Sequence, residues 1–188
     1  MTDKNLRFLA APRKLGFRAE SDRVRQDYDL SADSYDSRYR EIQFEKFRIM
    51  LSELELKEPI LDLGCGSGLL QEFLGLKIKL FGCDFSEKML ELAKKRGEIV
   101  KVCDLNEKLP YADNQFATIL SFTVLQNVEN VNNFLKEAKR ILKPNGIFIL
   151  TTLKKTTEEK KLIKLIEKYF SIQEVADCGE DLGFVLKI

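Results

Sequence analysis

The chain has 188 residues, of which 44% are hydrophobic and 32% charged, the balance of a soluble globular protein that favours one domain and can bury a real core. Its formal net charge is +1, so no whole-molecule field steers it toward nucleic acid or an anionic membrane. Histidine is absent, which excludes every mechanism that needs a histidine base, a Ser-His or Cys-His pair, or a histidine metal ligand, and no metal site is expected.

No stretch approaches the roughly 20 apolar residues needed to span a bilayer. Phe8 to Ala11 is too short for a signal-peptide core, and Arg13-Lys14 follows closely, so the reading is a cytoplasmic protein without membrane contact. Cys65, Cys83, Cys103 and Cys178 are scattered with no C-x-x-C, which indicates neither a zinc knuckle nor a disulfide frame. Cys83 and Cys103 lie at the ends of apolar runs and are expected as free thiols in the core.

Residues 1–22 read as a flexible basic arm. Seven basic residues fall between Met1 and Arg25 (Lys4, Arg7, Arg13, Lys14, Arg18, Arg23 and Arg25) against three acids. The arm is either a solvated terminus or a segment that contacts RNA or a partner. The remainder, 23–188, is expected to be one domain, with N-terminal helices over 23–57 and an α/β core over 58–188. Val24, Tyr28, Ala32, Tyr35 and Tyr39 recur at helical spacing. One helix, or two broken near Ser31 to Asp33, continues to Leu56, and Pro59 ends the helical region.

From there short apolar runs alternate with amphipathic segments. Strands are expected at Ile60–Leu63, Ile78–Cys83, Ile99–Cys103, Phe116–Phe122, Ile147–Leu153, Phe170–Ala176 and Phe184–Ile188. Helices are expected up to Leu74, from a Ser86 cap to near Gly97, over Val131–Leu142 and over Thr157–Tyr169. This alternation predicts a doubly wound Rossmann-like sheet of seven strands. The last junction, Asp177 to Gly183, is too short for a helical crossover and demands an antiparallel last strand.

The segment Leu61-Asp62-Leu63-Gly64-Cys65-Gly66-Ser67-Gly68 ends the first strand and opens a helix, placing a tight, closely approachable turn at the carboxyl end of the sheet. Asp84 ends the second strand, about 20 residues on, where a carboxylate can accept from both hydroxyls of an adenosine ribose. Asp104 ends the third, placed to accept from an exocyclic amine. Taken singly, Asp84 is equally a helix cap and Asp104 a turn starter. Together beside a glycine loop, they indicate a nucleoside site.

The sequence resembles the class I S-adenosylmethionine-dependent methyltransferases. The glycine segment matches that family's first motif. Gly82-Cys83-Asp84-Phe85-Ser86 with Met89-Leu90, Asp104 with Leu109-Pro110-Tyr111, and Leu142-Lys143-Pro144-Asn145-Gly146 match three others. Tyr28-Asp29, Ala32 and Tyr35-Asp36 resemble the lid helix of the ubiquinone-biosynthesis-like branch. The resemblance implies S-adenosyl-L-methionine as cofactor. Gly64, Cys65 and Gly66 would lie on its methionine part, and Asp62 would order the loop or reach its amino group. Asp84 would take the ribose and Phe85 the adenine face. Asp104 and the Leu105 amide would take the adenine edge, and Phe122 would line the sulfonium side. Tyr35 and Tyr39 would close the lid or simply pack on the helix face.

The departures also matter. Phe116-Ala117 replaces the frequent Phe-Asp, Gln126-Asn127 stands where many relatives carry histidine, and the Asn/Asp-Pro-Pro-Tyr loop of planar-amine methylation is absent near Ser121 to Val124. No residue presents itself as a catalytic base, and the catalytic residues stay unassigned. An NAD enzyme would want a glycine later than Gly68, where Leu69 stands. Short loops with no inserted cap domain lean the acceptor toward RNA or protein. A small molecule, or a non-catalytic cofactor-binding scaffold, are the alternatives. Strand three should be a sheet edge with only Lys101 as a guard, so an activator subunit could add a strand there unless the chain's own helices cover it.

Overall fold

The computed structural model describes residues 17–188, with side chains of 17–24, 31–33 and 156 outside the description. Most of the segment read as a basic arm, residues 1–16, therefore lies outside the described residues. Helix α1 spans Phe17–Leu51 as one continuous element, so the backbone carries no break at the alternative read near residue 31. Then come β1 (Ile60–Leu63), α2 (Leu69–Leu74), β2 (Leu80–Asp84), α3 (Glu87–Lys95), β3 (Ile99–Val102), β4 (Phe116–Ser121), α4 (Val131–Ile141), β5 (Leu142–Leu153), α5 (Glu159–Ile166), β6 (Ser171–Cys178) and β7 (Asp181–Lys187).

The strands form one seven-stranded sheet in the order β3-β2-β1-β4-β5-β7-β6. β1 pairs parallel with β2 and β4, β2 with β3, and β4 with β5, whereas β7 runs antiparallel to both β5 and β6. The β6–β7 turn is tighter than the sequence indicates: Cys178 still pairs with Asp181. Asp177 Oδ1 accepts from Gly179 N at 2.9 Å, and Gly179 has φ 73, a left-handed turn position that a glycine occupies without steric cost. No helix could fit into that turn, so β7 must reverse direction.

Alternation along the strands sends neighbouring side chains to opposite faces. Leu61, Leu63, Phe116, Phe148 and Phe184 pack with Phe134, Ala138 and Ile141 of α4 and Leu162 and Ile166 of α5. On the other face Ile60, Leu80, Leu120, Ile149 and Val185 pack with Phe47, Met50 and Leu51 of α1 and Leu69 and Leu70 of α2. α3 is fixed by its cap, Ser86 Oγ accepting from Met89 N at 3.2 Å, and by burying Met89, Leu90 and Ala93. No helix among the described residues is long and apolar enough to cross a membrane.

Phe134 is fully buried, and its ring centroid lies 6.1 Å from that of Phe148. Phe134→Ala is expected to lower the unfolding free energy by about 3–5 kcal/mol, read as a fall in the urea midpoint with an unchanged slope. The same truncation at half-exposed Val175 is expected to move it by less than about 0.5 kcal/mol.

Candidate functional site

The glycine loop leaves β1 with Gly64, Gly66 and Gly68 at φ 80, 53 and 82. Gly64 N and Cys65 N both donate to Cys83 O, at 2.7 and 3.1 Å, which lays the loop over the tip of β2. At Gly68 a Cβ would stand 2.7 Å from Ala93 Cα, and at Gly64 it would stand 2.5 Å from Val124 Cγ2. Close approach as well as positive φ therefore demands glycine at both positions.

Asp84, at the end of β2, is 8% exposed. Its Oδ2 accepts from Gly66 N at 3.0 Å and its Oδ1 from Ser86 N at 2.9 Å. The cap reading and the ligand reading are thus compatible, because a carboxylate has about four acceptor sites and the backbone amides do not fill them all. Asp104 does start a turn: its Oδ1 accepts from Asn106 N at 2.9 Å and Asn106 Nδ2 at 3.0 Å. Asn106 Oδ1 in turn accepts from Glu129 N at 2.8 Å, and the Asn106 carbonyl accepts from Asn133 Nδ2 at 3.2 Å, so this loop is tied to the start of α4.

Between these loops lies a cleft of about 670 Å3, part of it open to solvent. Of the ten residues singled out from the sequence, Tyr35, Gly64, Gly66, Asp84, Phe85, Asp104, Leu105 and Phe122 line it together. Asp62 and Cys65 do not. Asp62 is buried at 4% exposure, and the Cys65 side chain turns away into a cluster with Leu90 and Ala93. The cleft also takes Tyr28, Cys103, Asn106, Thr123, Val124, Asn127 and Val128, which sequence reasoning did not assign. Tyr28 was visible in the α1 pattern. Asn127 stands where the resemblance noted a missing histidine, and its Nδ2 donates to Tyr28 OH at 2.9 Å.

α1 covers the cleft. Tyr28 meets the Phe85 ring edge-on at 6.1 Å, and Tyr35 packs against both Tyr28 and Tyr39. Two α1 carboxylates reach the loops beneath: Asp29 accepts from Ser86 Oγ at 2.5 Å and Asp36 from Ser67 Oγ at 2.6 Å. Arg96 joins Asp36, Glu72 and the Ser67 carbonyl, and Arg40 also holds Glu72.

One sequence reading is corrected here. Cys83 and Cys103 are not free core thiols but are joined as a disulfide, with Cα atoms 5.7 Å apart. Parallel pairing of β2 with β3 sets the residue after β3 beside the end of β2, a proximity that a spacing of 20 residues does not announce. Cys65 and Cys178 are free.

The acids behind the loop share a dry environment. Burial, then the neighbouring Asp84 charge, pushes Asp62 well above the usual carboxylate range. Asp84 is raised by burial against the opposing pull of the Ser86, Gly66 and Phe85 amides. Glu98 is raised by burial and then by Asp62 and Asp84. It is 4% exposed, and neither carboxyl oxygen finds a hydrogen-bond partner among the described residues. Burial and the same acids raise the Cys65 thiol far above its ordinary value, so it is no nucleophile at neutral pH. Burial lifts Tyr28 to about 12 and Tyr35 further, so both remain neutral hydroxyls.

Asp62 and Glu98 keep their protons in the folded chain after the unfolded chain has lost them. The stability they contribute is fully present below the ordinary carboxylate range, near pH 4, and is lost as pH rises through their raised folded values. Thermal denaturation of the ligand-free protein across pH 5–10 is expected to show a falling midpoint, with a shallower fall in Asp62→Asn and Glu98→Gln.

A family model described as a methyltransferase domain matches residues 61–150. An uncharacterized protein of Methanocaldococcus jannaschii is 34% identical over 172 residues, covering 84% of this chain and 80% of that one. A ubiquinone/menaquinone biosynthesis C-methyltransferase of Rickettsia prowazekii is 30% identical over 172 residues, covering 84% and 68%. Of a ubiquinone biosynthesis O-methyltransferase from Pelagibacter ubique, 34% identical, the chain spans 48%. Among solved structures, a chain of the complex between the Haloferax volcanii Trm112 methyltransferase activator and its methyltransferase superposes with TM-score 0.73 at 18% identity, covering 85% of this chain and 96% of that one. An S-adenosylmethionine-dependent methyltransferase of Aquifex aeolicus superposes with TM-score 0.69 at 23% identity, covering 84% and 97%.

Proposed function

The chain belongs to the class I S-adenosylmethionine-dependent methyltransferases, and we propose that its cleft carries out methyl transfer to a small apolar acceptor. The adenosine end lies at Asp84, Phe85, Asp104 and Leu105, and the methionine end at Gly64 and Gly66. Phe122 would line the sulfonium side. The observation that carries this placement is the Asp84 carboxylate, held by Gly66 N and Ser86 N with lone pairs left over for a ribose diol. Aromatic Phe85 and Tyr28 at 6.1 Å offer the adenine a face and an edge. Asp62, buried behind the loop, suits an ammonium reached through it: a cation there favours the ionised carboxylate and offsets its burial.

The bound cofactor supplies a methyl group already activated on a sulfonium. The chain's part is to align an acceptor in line with that methyl and to exclude water, which by itself supplies much of the rate. No base is needed for a nucleophile that loses its proton to solvent afterwards. The wall formed by Phe122, Val124 and Val128 is apolar, with Thr123, Asn127 and the Tyr28 hydroxyl as the polar groups beside it, which suits an uncharged acceptor. Short loops without an inserted cap domain lean the acceptor toward RNA or protein, with the N-terminal helix as the one candidate lid. α1 supplies that lid, pinned through Asp29 and Asp36, and two named relatives belong to quinone biosynthesis.

Calorimetric titration with S-adenosylmethionine is expected to give saturable binding, no heat with NADH, and an affinity about 10–100-fold lower in Asp84→Ala, from the loss of charged hydrogen bonds. Label from the cofactor is then expected to enter phenolic or quinol compounds. Label entering RNA or protein alone would overturn the acceptor reading, and absent binding would overturn the cofactor placement.

A second reading concerns an activator. β3 is a sheet edge, and its Ile99 and Val102 are 44% and 52% exposed, so the chain's own helices leave it open. Lys101 is the one charge on that edge, its Nζ donating to Pro110 O at 3.1 Å and lying over the Tyr111 ring. A small activator subunit adding a strand here would be lost in Ile99→Lys/Val102→Lys. Methyl transfer stimulated by such a subunit is expected to fall to the unstimulated level in that variant, with cofactor affinity unchanged. Stimulation that survives would remove the edge as its site.

A further inference from the structure

We propose that Lys46 and Asp181 are positioning residues for methyl transfer, a buried ion pair that acts through Thr123 to hold Phe122 and Val124 at the methyl end of the cleft. The inference rests on the cofactor placement above. Lys46 lies in the second half of α1 and Asp181 opens β7, with side chains 4% and 0% exposed. Neither lines the cleft.

The network is closed and directional. Lys46 Nζ donates to Asp181 Oδ1 and to Thr123 Oγ1, each at 2.8 Å. Thr123 Oγ1 donates to Asp181 Oδ2 at 2.7 Å, and Thr151 Oγ1 donates to the same oxygen at 2.8 Å. The Thr123 amide donates to Thr151 Oγ1 at 2.9 Å and to the Thr151 carbonyl at 3.2 Å. Gln126 Nε2 donates to the Thr123 carbonyl at 2.5 Å. Every polar atom of Thr123 is therefore engaged.

Such engagement has a reason in the backbone. Thr123 stands at φ 56, a left-handed conformation that a β-branched residue adopts only when its surroundings impose it. Its neighbours are the two residues that matter in the cleft: Phe122, and Val124, whose methyls occupy the space left at Gly64. Relaxation of Thr123 would swing both. A buried ion pair is a poor device for stability alone, since apolar pairs of like volume often serve as well. A fixed turn geometry at the reacting end accounts for its retention here. Because α1 also carries Tyr28 and Tyr35, Lys46 ties the cover of the cleft and its far wall to the same point.

Two variants dissect this. Lys46→Met/Asp181→Asn removes both charges together, and Thr123→Gly keeps the left-handed turn accessible while removing the hydroxyl. Phe122→Ala reports on the cofactor placement itself. Each is titrated with adenosine and with S-adenosylmethionine, and its thermal midpoint is recorded. All three variants are expected to bind adenosine within about twofold of the parent chain while losing about tenfold or more in S-adenosylmethionine affinity. Unchanged S-adenosylmethionine binding in the paired variant and Thr123→Gly, with Phe122→Ala impaired, would overturn the positioning role alone. Equal losses for both ligands, in step with a lowered midpoint, would make the pair merely structural and overturn it too. A Phe122→Ala chain that binds both ligands normally would overturn the placement on which the proposal stands.

Discussion

Two amide hydrogen bonds to one carboxylate, from Gly66 N and Ser86 N to Asp84, hold the cleft in register. They join the loop after β1 to the tip of β2, in surroundings where an ionised acid costs a great deal without donors. With Gly64 N and Cys65 N both on Cys83 O, the loop has no freedom to lift from its neighbour strand. What lies beyond depends on that height: Gly68 slides beside Ala93 on one side and Gly64 takes Val124 on the other. A single Cβ at either glycine would push the loop off Asp84.

The cover is built differently from the floor. The last turns of α1 are anchored by Phe47, Met50 and Leu51 in an apolar cluster, where burial is worth a few kcal/mol per side chain. Toward its start the helix is held by serine-to-carboxylate bonds, by Arg96 and by an exposed Arg25–Glu87 pair. Exposed pairs of that kind contribute little and weaken with salt. The two halves of one helix therefore differ in local stability, and the half above the cleft is the one that opens at lower cost. Tyr28 and Tyr35 belong to that half and line the cleft, so its opening would widen the cleft.

Chemistry in the cleft is limited by what the residues cannot do. The tyrosines stay protonated, Cys65 stays a thiol, and histidine is absent. The absence of histidine excludes histidine-based catalysis, and neither tyrosine offers a phenolate at neutral pH, so alignment and desolvation are what the lining residues contribute. Transfer from a sulfonium asks for little else.

The sequence alone determined the alternation of strands and helices, the glycine loop, the acids at two strand tips and the reversal of the last strand. Each of these is a local signal: period, turn residue or loop length. Tertiary structure alone decided the rest. Cys103 reached Cys83 because strands distant in sequence pair side by side. Asp62 and Cys65, central to the motif, do not line the cleft: the Asp62 side chain is buried in the sheet and Cys65 packs with Leu90 and Ala93. No motif or spacing marks Lys46, Thr123 or Asp181. Burial at the meeting of α1, the end of β4 and the start of β7 made them one network, and no spacing along a chain encodes a contact across 135 residues.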